Sequence, residues 1–386
     1  MGLVWGRDNP QIIAFVALLP LSWLFAPSRL SAFLLALGYY LSGSRCLPAG
    51  VEVFFLYESH SYQGFLIWIF SSFLLAMPWT LFWTPPEHRT CFQSLARLFL
   101  VFLVLTVPPL GVIGWGSPLM AACWIFGGLG FVSLALLLGS CVVIFHSLYE
   151  KKLSIRHVFM KGVVTALFFA FLLFINSGRP VTDPEWSEIN TNYGRPPERV
   201  SQLDGTLERS LELLRTIREA KTPYILIPEH VIGLWAPAIR DLLSYVEMRL
   251  KMNRQTLAIC TEVYDESLRY DNTLMFIGAE KGSYRERFPV PISMWKPWAS
   301  AGAANAHWFE SGLINTGNAV YACLICYEQI LAFPVLWSFF CGTPQTIIAS
   351  ENHWWSEKTI MPLITRQSLI SWTKLFNVKY AVAKNL

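Results

Sequence analysis

An α-helical polytopic membrane domain followed by an α/β layered domain is the architecture this sequence predicts. Three observations carry that expectation. Residues 11–176 are dominated by Leu, Phe, Ala, Val and Trp, whereas from Arg179 onward charges recur every few residues. The first part holds six apolar runs that approach or reach the roughly 17–25 residues needed to cross a bilayer. The second part alternates short strand-like runs with amphipathic helical ones, the pattern of a layered α/β domain. The expected domains are 1–177 and 178–386, and the mean hydropathy of +0.41 averages two unlike halves.

The apolar runs lie at 10–26, 29–43, 63–83, 97–115, 119–146 and 158–177. The first two are short and separated only by Ala26-Pro27-Ser28, which predicts a tight hairpin. Pro20, Pro78, Gly127, Gly128 and Gly130 are tolerable inside such runs because neighbouring helices can satisfy freed backbone groups. The first run lacks a basic start and a clear small-residue cleavage site, so it is read as retained. Loops one, three and five carry six cations, Arg29, Arg89, Arg97, Lys151, Lys152 and Arg156, against Arg7 and Arg45 on the other side. Positive charge concentrates in cytoplasmic loops. Six spans then place the second domain outside the cytoplasm, on the periplasmic face of a bacterial inner membrane. The net charge of +4 is scattered, with no basic patch interleaved with aromatics, which argues against nucleic acid as the partner.

In the second part, residues 178–200 are rich in Pro and polar residues and read as the exit from the membrane. Leu203, Leu207, Leu211, Leu214 and Ile217 recur at helical spacing over 201–220, predicting an amphipathic helix. A short apolar run, Tyr224 to Ile227, ends in Pro228-Glu229. A helix is expected at 236–251, strands at 256–262 and 273–278, a buried strand at 319–326, a helix at 328–341 and a strand at 345–349.

Two of these strands end in reactive groups, Glu229 on one and Cys326-Tyr327-Glu328 on the other. Active sites of open α/β sheets lie outside the carboxyl ends of strands, where a carboxylate could take a thiol's proton. The thiol is the better nucleophile, since its free pKa of ~8.5 lies closest to neutral pH. The plainer alternative is Cys326 as a small apolar filler and Glu229 as a helix cap or surface charge. Cys323 and Cys326 lie three apart, on opposite faces of a strand. With no second cysteine pair to complete a zinc site, neither metal nor other cofactor is expected. His230, His307 and His353 are too scattered for a metal site, and the eight cysteines show no disulfide spacing. Trp295, Trp298, Trp308 and Phe309 fall in a Gly/Ala-rich segment. It is either an ordinary aromatic loop or an arm touching lipid and gating an acyl pocket, since Trp favours the membrane interface.

On these motifs the second part resembles the carbon–nitrogen hydrolase (nitrilase) superfamily. Leu226-Ile227-Pro228-Glu229 resembles that family's strand-Pro-Glu element, and Leu324-Ile325-Cys326-Tyr327-Glu328 its nucleophile motif. Asn352, Trp354 and Trp355 resemble the stretch following the nucleophile. Ile-Cys-Tyr-Glu is the form typical of apolipoprotein N-acyltransferases, which also join a polytopic membrane half to a periplasmic domain. The resemblance implies an αββα sandwich and a Glu, Lys and Cys triad, with Glu229 as base and Cys326 as nucleophile. It also implies positioning roles for Tyr327 and Glu328, and membrane phospholipid as acyl donor. Tyr284, Val290 and Pro291 match the spacing around the family's lysine, but the lysine position holds Glu286 and the later glutamate position Met294. Arg285, Arg287 and Lys296 are the cations left nearby. Arg287 is assigned to the oxyanion, although an arginine stays protonated and cannot shuttle protons. Three functions follow from the resemblance: thioester-forming acyl transfer, hydrolysis of a soluble amide, or a catalytically silent assembly factor.

Overall fold

The computed structural model describes residues 1–55, 62–149, 155–194 and 202–386. They form two compact units: Met1–Pro180 with Ile330–Phe333 and Lys358–Asn377, and Val181–Gln329 with Pro334–Glu357 and Val378–Leu386.

The first unit is helical: α1 (Leu18–Leu24), α2 (Arg29–Gly43), α3 (Leu47–Phe54), α4 (Tyr62–Leu81), α5 (Cys91–Thr106), α6 (Ala121–Ile125), α7 (Phe131–Leu148) and α8 (Ile155–Ile175). By length and composition α4 and α7 could cross a membrane; Pro10–Leu24, α5 and Phe159–Ile175 are shorter apolar helices. Large apolar side chains face outward, among them Phe65 and Phe70 on α4, Phe92 and Phe99 on α5, and Phe171 and Phe174 on α8. The hairpin expected after the first run is present. Its second helix starts in a capping box, Ser28 accepting from the Ser31 amide and Ser31 from the Ser28 amide.

Two expected runs are broken. The run at 97–115 stops as a helix at Thr106, ahead of Pro108 and Pro109, which have no amide to donate. The run at 119–146 divides into α6 and α7 across Phe126–Gly130, where Gly128 and Gly130 take φ of 91° and 58°, values that suit glycine. The amides of these two glycines donate to Lys374 and Leu375 carbonyls at 2.9 and 2.8 Å. Those residues belong to α12 (Met361–Phe376). Trp124 Nε1 also donates to Ser371 Oγ at 2.9 Å, and Gly6 N to Gln367 Oε1 at 2.8 Å. This last helix therefore belongs with the N-terminal helices. Buried indoles donate inward, Trp23 to the Trp79 carbonyl at 2.6 Å and Trp5 to the Tyr39 hydroxyl at 3.0 Å. The loop cations Lys151 and Lys152 lie outside the described residues.

The second unit carries two sheets. One is ordered β1 (Trp186–Glu188), β2 (Tyr224–Leu226), β3 (Thr256–Tyr264), β4 (Tyr270–Gly278) and β5 (Gly282–Arg285). The pairs β1/β2 and β2/β3 are parallel, β3/β4 and β4/β5 antiparallel. The other is ordered β6 (Leu313–Asn315), β7 (Val320–Ile325), β8 (Thr346–Asn352) and β9 (Lys379–Asn385), with β7, β8 and β9 parallel. Strand side chains alternate between faces, and one face of each sheet meets the other. Leu226, Ala258, Cys260 and Leu274 join Cys323, Ile325, Ile348 and Ala381 in a shared core. On the other face of the first sheet, Ile225, Ile227, Leu257 and Ile259 pack against α9 (Gln202–Glu219) through Leu213 and Ile217, and α10 (Pro237–Met252) through Ile239 and Leu243. The expected α/β layering is present as helix, sheet, sheet. The strand expected at 319–326 ends at Ile325. The helix expected at 328–341 is a 3-10 turn over Cys326–Ile330 followed by α11 (Ala332–Cys341).

Candidate active site

Strand β7 stops at Ile325, and Cys326 turns the chain with φ +44°. A side chain with a β-carbon rarely adopts that conformation, which persists only where its surroundings enforce it. Glu328 is the enforcing group. One of its carboxyl oxygens accepts from Ile325 N at 2.7 Å and the other from Arg287 N at 2.9 Å, while the Tyr284 hydroxyl lies 2.6 Å from both. The fully buried Arg287 places Nε 3.7 Å from Glu328 and donates from it to the Tyr284 oxygen at 3.1 Å. Its terminal nitrogens donate to the carbonyls of Glu310 at 3.3 Å and Pro334 at 2.9 Å. Gly312 makes room for this fork: its φ is +69°, and a β-carbon there would stand 2.4 Å from the guanidinium carbon.

The positions assigned from sequence therefore divide into two groups. Arg287, expected at the oxyanion, directs its side-chain nitrogens to the scaffold around Glu328. Glu328 pins the turn that presents the thiol. Tyr327 is buried beside it. Burial pushes the Glu328 carboxyl above the ordinary carboxylate range, against the pull of Arg287 and the two amides. For Arg287, burial works against the charge, but Tyr284 and Glu328 more than offset it and the guanidinium is held above its usual value.

Glu229 and Cys326 meet. The Glu229 carboxyl, two residues beyond Ile227, stands beside the Cys326 thiol, close enough for each to act on the other's proton affinity, and accepts from Asn272 Nδ2 at 2.7 Å. Asn272, on β4, donates from the same nitrogen to Glu286 Oε2 at 3.1 Å, and its own oxygen accepts from the Cys260 thiol at 3.1 Å. The Cys326 sulfur lies 3.8 Å from the Asn352 carbonyl oxygen. Burial is the main cause pushing all three central groups up: Glu229, Glu286 and Cys326. The negative charge of Glu229 adds to the shift at Glu286 and at Cys326. The resting thiol is held neutral, with Glu229 in place to receive its proton.

The histidines sit around this centre in separate pairs. His230 Nε2 lies 3.3 Å from Glu262, His353 Nε2 lies 2.9 Å from Glu351, and His307 Nε2 lies 2.8 Å from Asp271. Glu351 is held below the ordinary carboxylate range because His353 and Lys384 outweigh its burial. Among the described residues no group of three or more His, Cys, Asp or Glu could hold a metal ion. The aromatic segment splits: the Trp295 and Trp308 rings meet edge to face at 5.3 Å, whereas Trp298 and Phe309 are exposed.

Sequence reasoning missed Asn272, Cys260 and Gly312. The only local signal for Asn272 is a polar residue facing inward in a buried strand; nothing local marks Gly312, whose constraint comes from a residue 25 positions away.

No family model matches the chain. It is 30% identical to the conjugal transfer protein TraB of Agrobacterium fabrum over 401 residues, covering 100% of this chain and 90% of that one. It is 29% identical over 378 residues to the probable conjugal transfer protein TraB of Sinorhizobium fredii, covering 95% and 90%. Solved structures similar to it include an amidase of Nesterenkonia sp. showing Michael addition of acrylamide at the active site cysteine, with 12% identity, a TM-score of 0.33 and coverage of 52% of this chain and 77% of that one. Another is a mutant Nesterenkonia amidase from the nitrilase superfamily, with 13% identity, a TM-score of 0.34 and coverage of 52% and 75%.

Proposed function

The chain belongs to the TraB family of conjugal transfer proteins, and from that premise we propose that it is a membrane-bound nitrilase-like enzyme of plasmid conjugation. It forms an acyl-thioester on Cys326 and passes the acyl group to an amine. The observation that carries this reading is the meeting of Glu229 with Cys326, the thiol on a left-handed turn held by Glu328.

In the proposed reaction Glu229 takes the thiol proton as sulfur attacks the carbonyl carbon of a phospholipid ester. The carbonyl π pair moves to oxygen. On collapse the bond to the leaving oxygen breaks, Glu229 returns the proton to it, and the acyl group remains on sulfur. An amine then attacks the thioester carbonyl and Glu229 takes its proton; as the carbon–sulfur bond breaks, Glu229 passes that proton to the departing sulfur, restoring the thiol.

Membrane placement is part of the proposal. Helices apolar on all sides, with Phe and Leu facing outward, suit a hydrocarbon surround. The reading keeps the six spans expected from the sequence, and with them the charge bias of the short loops favours a periplasmic second unit. There phospholipid is at hand as acyl donor, and other proteins of the conjugation machinery are partners. A second reading, a catalytically silent assembly factor, is favoured by Glu286 standing at the family's lysine position.

Plasmid transfer frequency separates the two. A Cys326→Ala chain, expressed and folded as the native one, is expected to lower transfer as far as removal of the whole chain does. Undiminished transfer would establish the silent reading.

A further inference from the structure

Glu286 is the least explained group at the site. It is 1% exposed, and among the described residues its Oε1 has no hydrogen-bond partner. A buried polar atom left so costs stability unless it serves a ligand or a reaction. Its other oxygen shares Asn272 Nδ2 with Glu229 Oε1, at 3.1 and 2.7 Å. The two carboxyls therefore lie within the ~6 Å at which like charges oppose joint ionisation. The nearby bases are engaged elsewhere, Arg287 with Glu328, His230 with Glu262 and His353 with Glu351. No Lys or Arg forms an ion pair with Glu229 or Glu286 among the described residues, so two buried negative charges would stand there uncompensated.

We propose that Glu229 and Glu286 form a carboxyl pair sharing one proton at neutral pH, that the proton resides on Glu286, and that its O–H donates to the substrate carbonyl oxygen as Cys326 attacks. The donor role rests on the thioester reading above; the shared proton does not. A protonated carboxyl in an apolar site can stabilise an oxyanion as a neutral donor. It takes over the electrostatic duty of a lysine without a cation. As the carbon–sulfur bond forms, the π pair moves to oxygen and accepts the Glu286 O–H. The thiol proton goes to Glu229 and from there to the leaving group, and Glu286 keeps its own proton throughout.

The titratable groups acting on or felt by Glu286 are Glu229, Glu328, Cys260, Cys326 and Tyr270. Of these, Glu229 is the acid joined to it through Asn272, so the protonation of one must depend on the other. The burial of Glu286 and the charge of Glu229 both push its carboxyl upward, consistent with the geometry.

Infrared difference spectroscopy of the full chain in phospholipid bilayers tests the pair. At pH 7 a protonated carboxyl band is expected that disappears in Glu286→Gln and persists in Cys326→Ala. In Glu229→Gln, where the like charge is gone, the band should titrate away at a pH lower by one or more units. No band from Glu286 at pH 7, or a titration unmoved in Glu229→Gln, would overturn the shared proton. The donor role is read separately by intact mass. Glu286→Gln, which keeps an N–H donor, should retain the Cys326 acyl adduct and Glu286→Val should lose it. Equal adduct in both variants overturns the donor role. A native chain with the band and no adduct contradicts the thioester reading and the donor role while upholding the pair.

Discussion

Replacing Arg287 by methionine is expected to cost the second unit about 3–5 kcal/mol, the cost of removing one partner of a buried ion pair. Arg287 and Glu328 are both fully buried, and the arginine bridges Glu328, Tyr284, the loop carbonyl of Glu310 and the Pro334 carbonyl of α11. Without it the Glu328 charge is left uncompensated, and the space opposite Gly312 is emptied. The left-handed turn at Cys326 then loses the group that fixes it. Arg287→Lys keeps the charge but has one donor centre for three directions, and is expected to cost roughly 1–3 kcal/mol. Thermal denaturation of the full chain, followed by protease resistance of the second unit, measures both. A fully stable Arg287→Met protein would contradict a structural role for this residue and return it to consideration at the oxyanion.

The second large effect is on the thiol. Glu286→Lys replaces a carboxyl beside Cys326 and Glu229 by an ammonium, and an opposite charge within a few ångströms lowers a thiol pKa by about 1–3 units. While the thiol pKa stays above the assay pH, each unit multiplies the thiolate fraction about tenfold, but nucleophilicity falls with a Brønsted slope of about 0.4–0.5. The net expectation is an alkylation rate by iodoacetamide at pH 7 about 3–50-fold above native, with the pH profile of the reaction displaced downward. In the native chain, burial and Glu229 hold Cys326 well above its ordinary range, so alkylation should be slow at neutral pH and climb as the solution becomes alkaline. Cys91 and Cys341 are exposed, so the measurement follows the Cys326 peptide by mass. An unchanged rate would mean that position 286 does not act on the thiol.

Glu229 and Cys326 were legible because the signal is local: an apolar run ends abruptly and a reactive group follows. Helical spacing likewise located α9, and helix-like and strand-like runs located α10, β3 and β4, to within a few residues. What could not be read was set by distant partners. The role of Arg287 depends on Glu328, Glu310 and Pro334 arriving from separate segments to join Tyr284, three residues before it. The division of the 119–146 run depends on α12 supplying carbonyls to Gly128 and Gly130. That helix itself escaped sequence reading for a physical reason. Thr365, Gln367, Ser368, Ser371 and Thr373 are buried along with Ile364, Leu369 and Trp372, so polar and apolar positions do not sort into an outer and an inner face. Glu286 was legible as a departure from a family pattern, but its partnership with Glu229 through Asn272 appears only once β4 and β5 are paired.

The claim that Glu229 and Cys326 form a working acyl-transfer site is tested most directly by intact-mass analysis of the full chain incubated in phospholipid bilayers. The account predicts an added acyl mass on Cys326 that hydroxylamine removes and that is absent from Cys326→Ala and Glu229→Gln. No adduct in either the native chain or Glu286→Lys, with both folded, would contradict it.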